Sequence, residues 1–188
     1  KAVKLIKVEY EVLPHVLDPL EGAQPDAPIL HEHQYTAGTA PETSQPSNVF
    51  RIISGERGDL EKGFAEADEI IEREFRSQPV HQGYIEPMAC VAAASEDGTL
   101  ELWTSTQGHF VARTLLAKLL NMDMAKIRVT ASEIGGGFGG KTTIYAEPVA
   151  VRLSQMTGRP VRMAMTRSEV FRATGPTVGY YCKIKIGA

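Results

Sequence analysis

Tryptophan occurs once in this 188-residue chain, and cysteine only twice, at Cys90 and Cys182. Two cysteines so far apart form no CxxC pair and are too few to hold an iron–sulfur cluster by themselves. They read as ordinary buried or half-buried residues, and such sparse use suits a reducing, cytoplasmic compartment. Positive charge is not in excess either: 20 Lys and Arg against 23 Asp and Glu leave a net charge of −3. There is no overall basic field to draw in nucleic acid or an acidic membrane surface. No apolar run approaches the ~18 residues that suggest a membrane-spanning helix. The chain opens on Lys1 rather than Met, shows no secretory leader pattern, and begins and ends in strand-like sequence. It therefore reads as a piece of a longer polypeptide.

What is present suits a folded domain. The hydrophobic content of 43% and charged content of 23% are ordinary for a soluble globular protein with a sizeable core. "VKLIKVEYEVL" (3–13) alternates apolar and polar residues and predicts a strand. Residues 18–48 are rich in Pro, Gly, Ala, Asp and Thr, with little periodicity, and predict an extended connector. Leu60, Phe64 and Ala67 have helical spacing behind Asp59, a candidate cap, and "EIIEREFR" then alternates as a strand does. "MACVAAASEDGTLELWTSTQ" predicts a hairpin turning at Asp97-Gly98. In "GHFVARTLLAKLLNM", Val111, Leu115, Leu116, Leu119 and Leu120 predict one apolar helix face. A strand over "KIRVTAS" follows. Next comes a glycine loop, then a helix that tolerates Pro148 only in its first turn and stops before Gly158. "PVRMAMTR" predicts a strand, "SEVFRATG" a short helix capped by Ser168, and "GYYCKIKIG" a last strand. Hairpins mixed with βαβ-like pieces predict an α+β fold with mixed sheets and short helices.

The loop "GGGFGGK" (135–141) carries the chemistry. Five glycines in six positions mean that the backbone turns repeatedly through positive φ or approaches something closely. Gly135, Gly140, Lys141 and Thr142 also satisfy G-x-x-x-x-G-K-[ST], the phosphate-binding spacing. Against a nucleotide site, the following strand ends in Thr166-Arg167, with no acid to hold magnesium until Glu169. The bulky Phe138 also fits a small phosphate cradle poorly.

Several further segments, in order, accompany the loop: "HQGYIEP" (81–87), "WTSTQ" (103–107) and "RPVRMAMTRSEVF" (159–171). Together with "GGGFGGK" they resemble the molybdenum-binding large subunit of the xanthine dehydrogenase and aldehyde oxidase family of molybdenum hydroxylases. The resemblance implies that residues 1–17 end a preceding α/β domain, 18–48 connect, and 49–188 begin a molybdopterin-binding domain. It implies oxidative hydroxylation of an aldehyde or aromatic heterocycle, with water as the oxygen source and a molybdenum–pterin cofactor (molybdopterin or its cytosine dinucleotide) as electron acceptor. Iron–sulfur clusters and FAD would sit on partner domains or subunits of a hetero-oligomer. Gln107 corresponds to the family's glutamine that hydrogen-bonds an oxygen on the metal. Gly137, Phe138 and Gly139 correspond to the loop whose backbone approaches that oxygen, and Phe138 would also wall a substrate pocket. No residue here would bind the metal directly, and the family's catalytic glutamate would lie beyond Ala188, leaving this segment inactive alone. Family members that oxidise xanthine have glutamate where Thr142 stands, which argues against a purine substrate. A nucleotide-binding protein and a domain that has lost its cofactor are the alternative readings.

Lesser constellations have plainer expectations. Glu86 is expected to orient backbone or pair with a base. Lys141 would contact an anionic part of the cofactor or form an ion pair. His109 would cap or pack a helix. His31-Glu32-His33 reads as solvated loop, because zinc would need further ligands.

Overall fold

The computed structural model describes residues 2–188, which form two compact units that divide between Asp68 and Glu69. The first unit has little regular structure. Ala2–Leu5 is a turn of 3-10 helix and residues 6–13 pair with no strand, so the strand expected over 3–13 is absent. Alternation licenses a strand only where a neighbouring strand takes up its N–H and C=O groups. Asp18 caps the four-residue helix α1 (Pro19–Gly22), accepting from the Leu20 and Glu21 N–H groups. The stretch expected to be an extended connector is pinned by side-chain bonds. Asn48 donates to the carbonyls of Gly22 and Pro28 and accepts from Leu30 N–H. Asp59 caps α2 (Leu60–Glu66) by accepting from Lys62 N–H at 2.9 Å, as its position predicted.

The second unit holds two sheets. β1 (Ile70–Arg76) pairs antiparallel with β6 (Tyr181–Gly187) in a two-stranded ribbon. β2 (Ala89–Ala94), β3 (Leu100–Thr104), β4 (Ile127–Ala131) and β5 (Val161–Ala164) form a four-stranded mixed sheet in the order β4-β3-β2-β5. β2 and β3 are the expected hairpin. Gly98 turns it at φ 81°, and Asp97 accepts from the Thr99 N–H and hydroxyl. β3 and β4 run parallel, with α3 (His109–Leu120) as the crossover between them. α4 (Glu147–Thr157) leads into β5, which pairs antiparallel with β2. Leu116 of α3 and Ala150 and Val151 of α4 join Cys90, Ala92, Leu100, Leu102 and Ile127 in the main core, so both helices cover the same face.

The expected helix ends are present, with Pro148 in the first turn of α4 and Gly158 closing it at φ 62°. Three expectations need correction. The inward face of α3 is Ala112, Leu116 and Leu120, whereas Val111 and Leu119 are exposed. Ala112 is buried where the bulkier Val111 is not, so hydrophobicity alone misplaced part of the stripe. α5 (Arg167–Ala173) is capped by Thr166 rather than Ser168, with Glu169 completing a capping box. Cys182 is exposed rather than buried. Residues 132–146 join β4 to α4 and carry the glycine loop.

Candidate functional site

The loop sits against the end of β3 and the segment "HQGYIEP". Gln107 lies just past β3, where Thr106 and Gln107 meet Lys141. The Gln107 N–H donates to the Lys141 carbonyl at 2.9 Å, and the Thr106 hydroxyl donates to the same oxygen at 3.1 Å. Gln107 Oε1 accepts from the N–H groups of Gly139 and Lys141, both at 3.1 Å. With Oε1 committed twice, the amide orientation is settled and Nε2 is left as the outward donor.

The glycines divide by purpose. A Cβ on Gly137 would stand 2.5 Å from Gln107 Oε1 and 2.6 Å from its Cδ, so glycine there admits the Gln107 side chain. A Cβ on Gly135 would stand 2.8 Å from Glu86 Cβ, and one on Gly140 would stand 2.7 Å from Tyr84 Cε1. Gly136 and Gly139 turn the chain, at φ 96° and 87°. Phe138 between them is itself left-handed at φ 51°, an uncommon state for an aromatic residue, and its side chain is 74% exposed. Strain of this kind persists only where neighbours over-determine it.

Lys141 is fully buried. Its Nζ is 2.5 Å from Glu86 Oε2 and 4.9 Å from the centre of the Tyr84 ring. The same Oε2 accepts from Gly135 N–H at 2.8 Å. Burial pushes the Glu86 carboxyl up, but the Lys141 hydrogen bond, the Gly135 N–H and the Lys141 charge outweigh it and hold it below the ordinary carboxylate range. Beneath, His81 Nδ1 accepts from Gly83 N–H, so its Nε2 donates to Thr174 Oγ1. Thr174 donates to the Val170 carbonyl at 2.8 Å and receives the Tyr84 hydroxyl at 2.9 Å. Tyr84 is thereby fixed as the floor under Lys141. Farther in, Glu147 is buried and takes donors from the Thr104 hydroxyl and Tyr145 N–H, both at 2.7 Å. The Cys90 thiol is buried, and burial with the nearby Glu147 charge pushes it up to about 12, which leaves it inert.

The structure brings Gln107, Gly137, Phe138 and Gly139 together. It corrects the phosphate-loop alternative. The lysine that would reach a phosphate is spent inside on Glu86, and α4 begins only at Glu147, well past the loop. Of the two roles open for Lys141, the ion pair is the one observed, and Glu86 both orients backbone and pairs with a base. His109 opens α3 and packs on Phe110 at 4.3 Å. Among the described residues no group of three metal-ligating side chains exists, at 31–33 or elsewhere. Tyr84 and Thr174 escaped sequence reasoning, because no spacing links residues 84, 141 and 174.

The residues present fit an acceptor-rich group such as an oxygen-bearing metal with its pterin. Among the described residues, Gln107 Nε2 and the N–H groups of Gly136, Gly137 and Phe138 have no protein acceptor. Nothing lies within 4 Å of where a Cβ on Gly139 would be. Comparison with known proteins agrees. The family described as molybdopterin cofactor-binding domain matches residues 42–188. The probable hypoxanthine oxidase of Escherichia coli is 36% identical across the whole chain, which spans 22% of that relative. The carbon monoxide dehydrogenase large chain of Afipia carboxidovorans is 32% identical, again over the whole chain and 24% of the relative. The solved structure of reconstituted CO dehydrogenase from Oligotropha carboxidovorans superposes with a TM-score of 0.81 at 31% identity, over 100% of this chain and 24% of that one. Aldehyde oxidoreductase from Desulfovibrio gigas shares the fold, with a TM-score of 0.83 at 24% identity over 100% of this chain and 19% of that one. The chain thus spans less than a quarter of the length of these relatives. On the family match over most of its length, it belongs to the molybdopterin cofactor-binding domain family.

Proposed function

We propose that this chain supplies part of the molybdenum–pterin site in the large subunit of a molybdenum hydroxylase. The observation that carries the reading is the commitment of Gln107 Oε1 to Gly139 and Lys141, which leaves Nε2 as a fixed donor beside an open glycine. Gln107 Nε2 and the backbone N–H of Phe138 would hold oxygen acceptors of the cofactor, in the manner of an oxyanion hole. Gly137 and Gly139 would let backbone and cofactor approach closely, and Phe138 would present an aromatic wall to substrate. When bound, the group supplies the two-electron oxidation, with water as the oxygen source.

Thr142 bears on the substrate. Its hydroxyl donates to the Gly139 carbonyl at 2.9 Å, so the position closes the turn and offers no carboxylate. This favours an aldehyde or an aromatic heterocycle other than a purine. Iron–sulfur and flavin domains or subunits would carry electrons away, in a cytoplasmic hetero-oligomer. No helix among the described residues is long and apolar enough to cross a membrane.

The test is the molybdenum and pterin content of the intact parent protein, purified with its partners from its own host. Stoichiometric molybdenum and pterin are expected, with a clear loss in Gly137→Ala, whose added methyl would displace the Gln107 amide. Wild-type protein lacking both, from a host that makes the cofactor, would sink the reading.

A further inference from the structure

We infer that Glu86 is a positioning residue for the glycine loop: one carboxylate oxygen clasps the first and last residues of 135–141 and so sets the Gln107 amide. Its last step rests on the loop facing the cofactor. Glu86 Oε2 accepts from Gly135 N–H at 2.8 Å and from Lys141 Nζ at 2.5 Å. The Glu86 N–H also donates to the Gly135 carbonyl at 3.2 Å, so the start of the loop is gripped in both directions. At the other end, Lys141 connects two systems. Its side chain ends in the clasp, while its backbone N–H and carbonyl make the bonds that orient Gln107.

The burial of Lys141 shows which way the pair faces. A lysine with no solvent-exposed surface serves neither solubility nor a ligand outside the loop. Its ammonium is spent on Glu86 and the Tyr84 face. The two glycines at the loop's ends are the ones that admit this clasp, since Cβ atoms on Gly135 and Gly140 would collide with Glu86 and Tyr84. Between the clasped ends lie the left-handed residues Gly136, Phe138 and Gly139. Glu86 touches no part of the outward-facing donor set, so it acts through Lys141.

The inference is tested in the parent protein with its partners, in Glu86→Gln, Lys141→Met and the double variant. Amide hydrogen exchange is followed over 135–141 and over β2 and β3, and the molybdenum EPR signal and metal content are recorded. Glu86→Gln is expected to speed exchange of the Gly135, Gly139 and Lys141 amides by about tenfold or more, with β2 and β3 unchanged. The EPR signal should shift as the Gln107 amide loses its fixed place. The double variant should regain the thermal stability lost in Glu86→Gln, because no charge is left buried, yet keep the fast loop. Should Glu86→Gln not yield folded protein, Lys141→Met carries the same test. Unchanged loop exchange, or equal acceleration in β2 and β3, would overturn the clasp. Wild-type protein without molybdenum would instead remove the link to the cofactor, while the exchange result still decides whether the clasp exists.

Discussion

The second unit contains the same ionic chemistry in two settings. On the β1–β6 ribbon, Glu74 pairs with Lys183 at 3.2 Å and Glu72 with Lys185 at 3.5 Å, across one face, with every side chain about half exposed. At the end of the four-stranded sheet, Glu86 pairs with a lysine that has no exposed side-chain surface, at 2.5 Å. The ribbon buries none of its residues, whereas β2 and β3 send Cys90, Ala92, Leu100 and Leu102 into a core closed by two helices. Charges on the ribbon trade water for one another at little gain. The buried lysine has no such exchange available, so its partner is obligatory, although an apolar pair of equal volume could be as stable. A buried pair kept where apolar packing would serve points to a positional role, here holding a strained loop closed.

Core truncation sharpens the contrast most. Leu116→Ala removes a fully buried side chain from between α3 and the sheet, and should cost about 3 kcal/mol. Phe75→Ala on the ribbon, where Phe75 is 56% exposed, should cost under about 1 kcal/mol. Urea unfolding of the two variants checks this, and equal losses would dissolve the distinction between the sheets.

The buried pair comes next. Glu86→Gln strands the Lys141 ammonium and should cost about 2 kcal/mol, below the range for fully buried pairs because Glu86 is a third exposed. The loss depends on pH in a definite direction. The folded Glu86 pKa lies below its unfolded value of about 4.3, so the stabilisation is complete above that value and disappears as pH falls through the folded one. The gap between wild type and Glu86→Gln should be flat from neutral pH to about 5 and close below about 4. A gap that widened in acid would mean that Glu86 is not the charged partner.

The sequence was legible where local chemistry decides the outcome. Asp59, Asp97-Gly98, Pro148 and Gly158 mark caps and turns whose geometry belongs to a few neighbouring residues, and all were read correctly. It was also legible at the loop, where five clustered glycines signalled close approach before any partner was known. It failed where the partner is remote. The alternation in 3–13 resembled a strand, but no strand lies beside it. Val111 and Leu119 looked like core, yet they are exposed and Ala112 is buried. The clasp joins residues 86 and 141, brought together only by folding, so its two halves were visible singly and not as a pair.

The smallest effect belongs to the ribbon's charges. Tyr181 and then Lys183 hydrogen-bond Glu74 and hold its carboxyl below the usual range. Yet both partners stand in water, and Tyr181 should keep its bond to Glu74 when the lysine is removed. A side chain held in place on an exposed strand also loses rotamer freedom, which cancels much of the Coulomb gain. Lys183→Met should therefore leave the urea midpoint unchanged, at low salt and at high salt alike. A drop comparable to that of Glu86→Gln would show that exposure does not separate the two kinds of pair, and that the ribbon's face is covered in the intact protein.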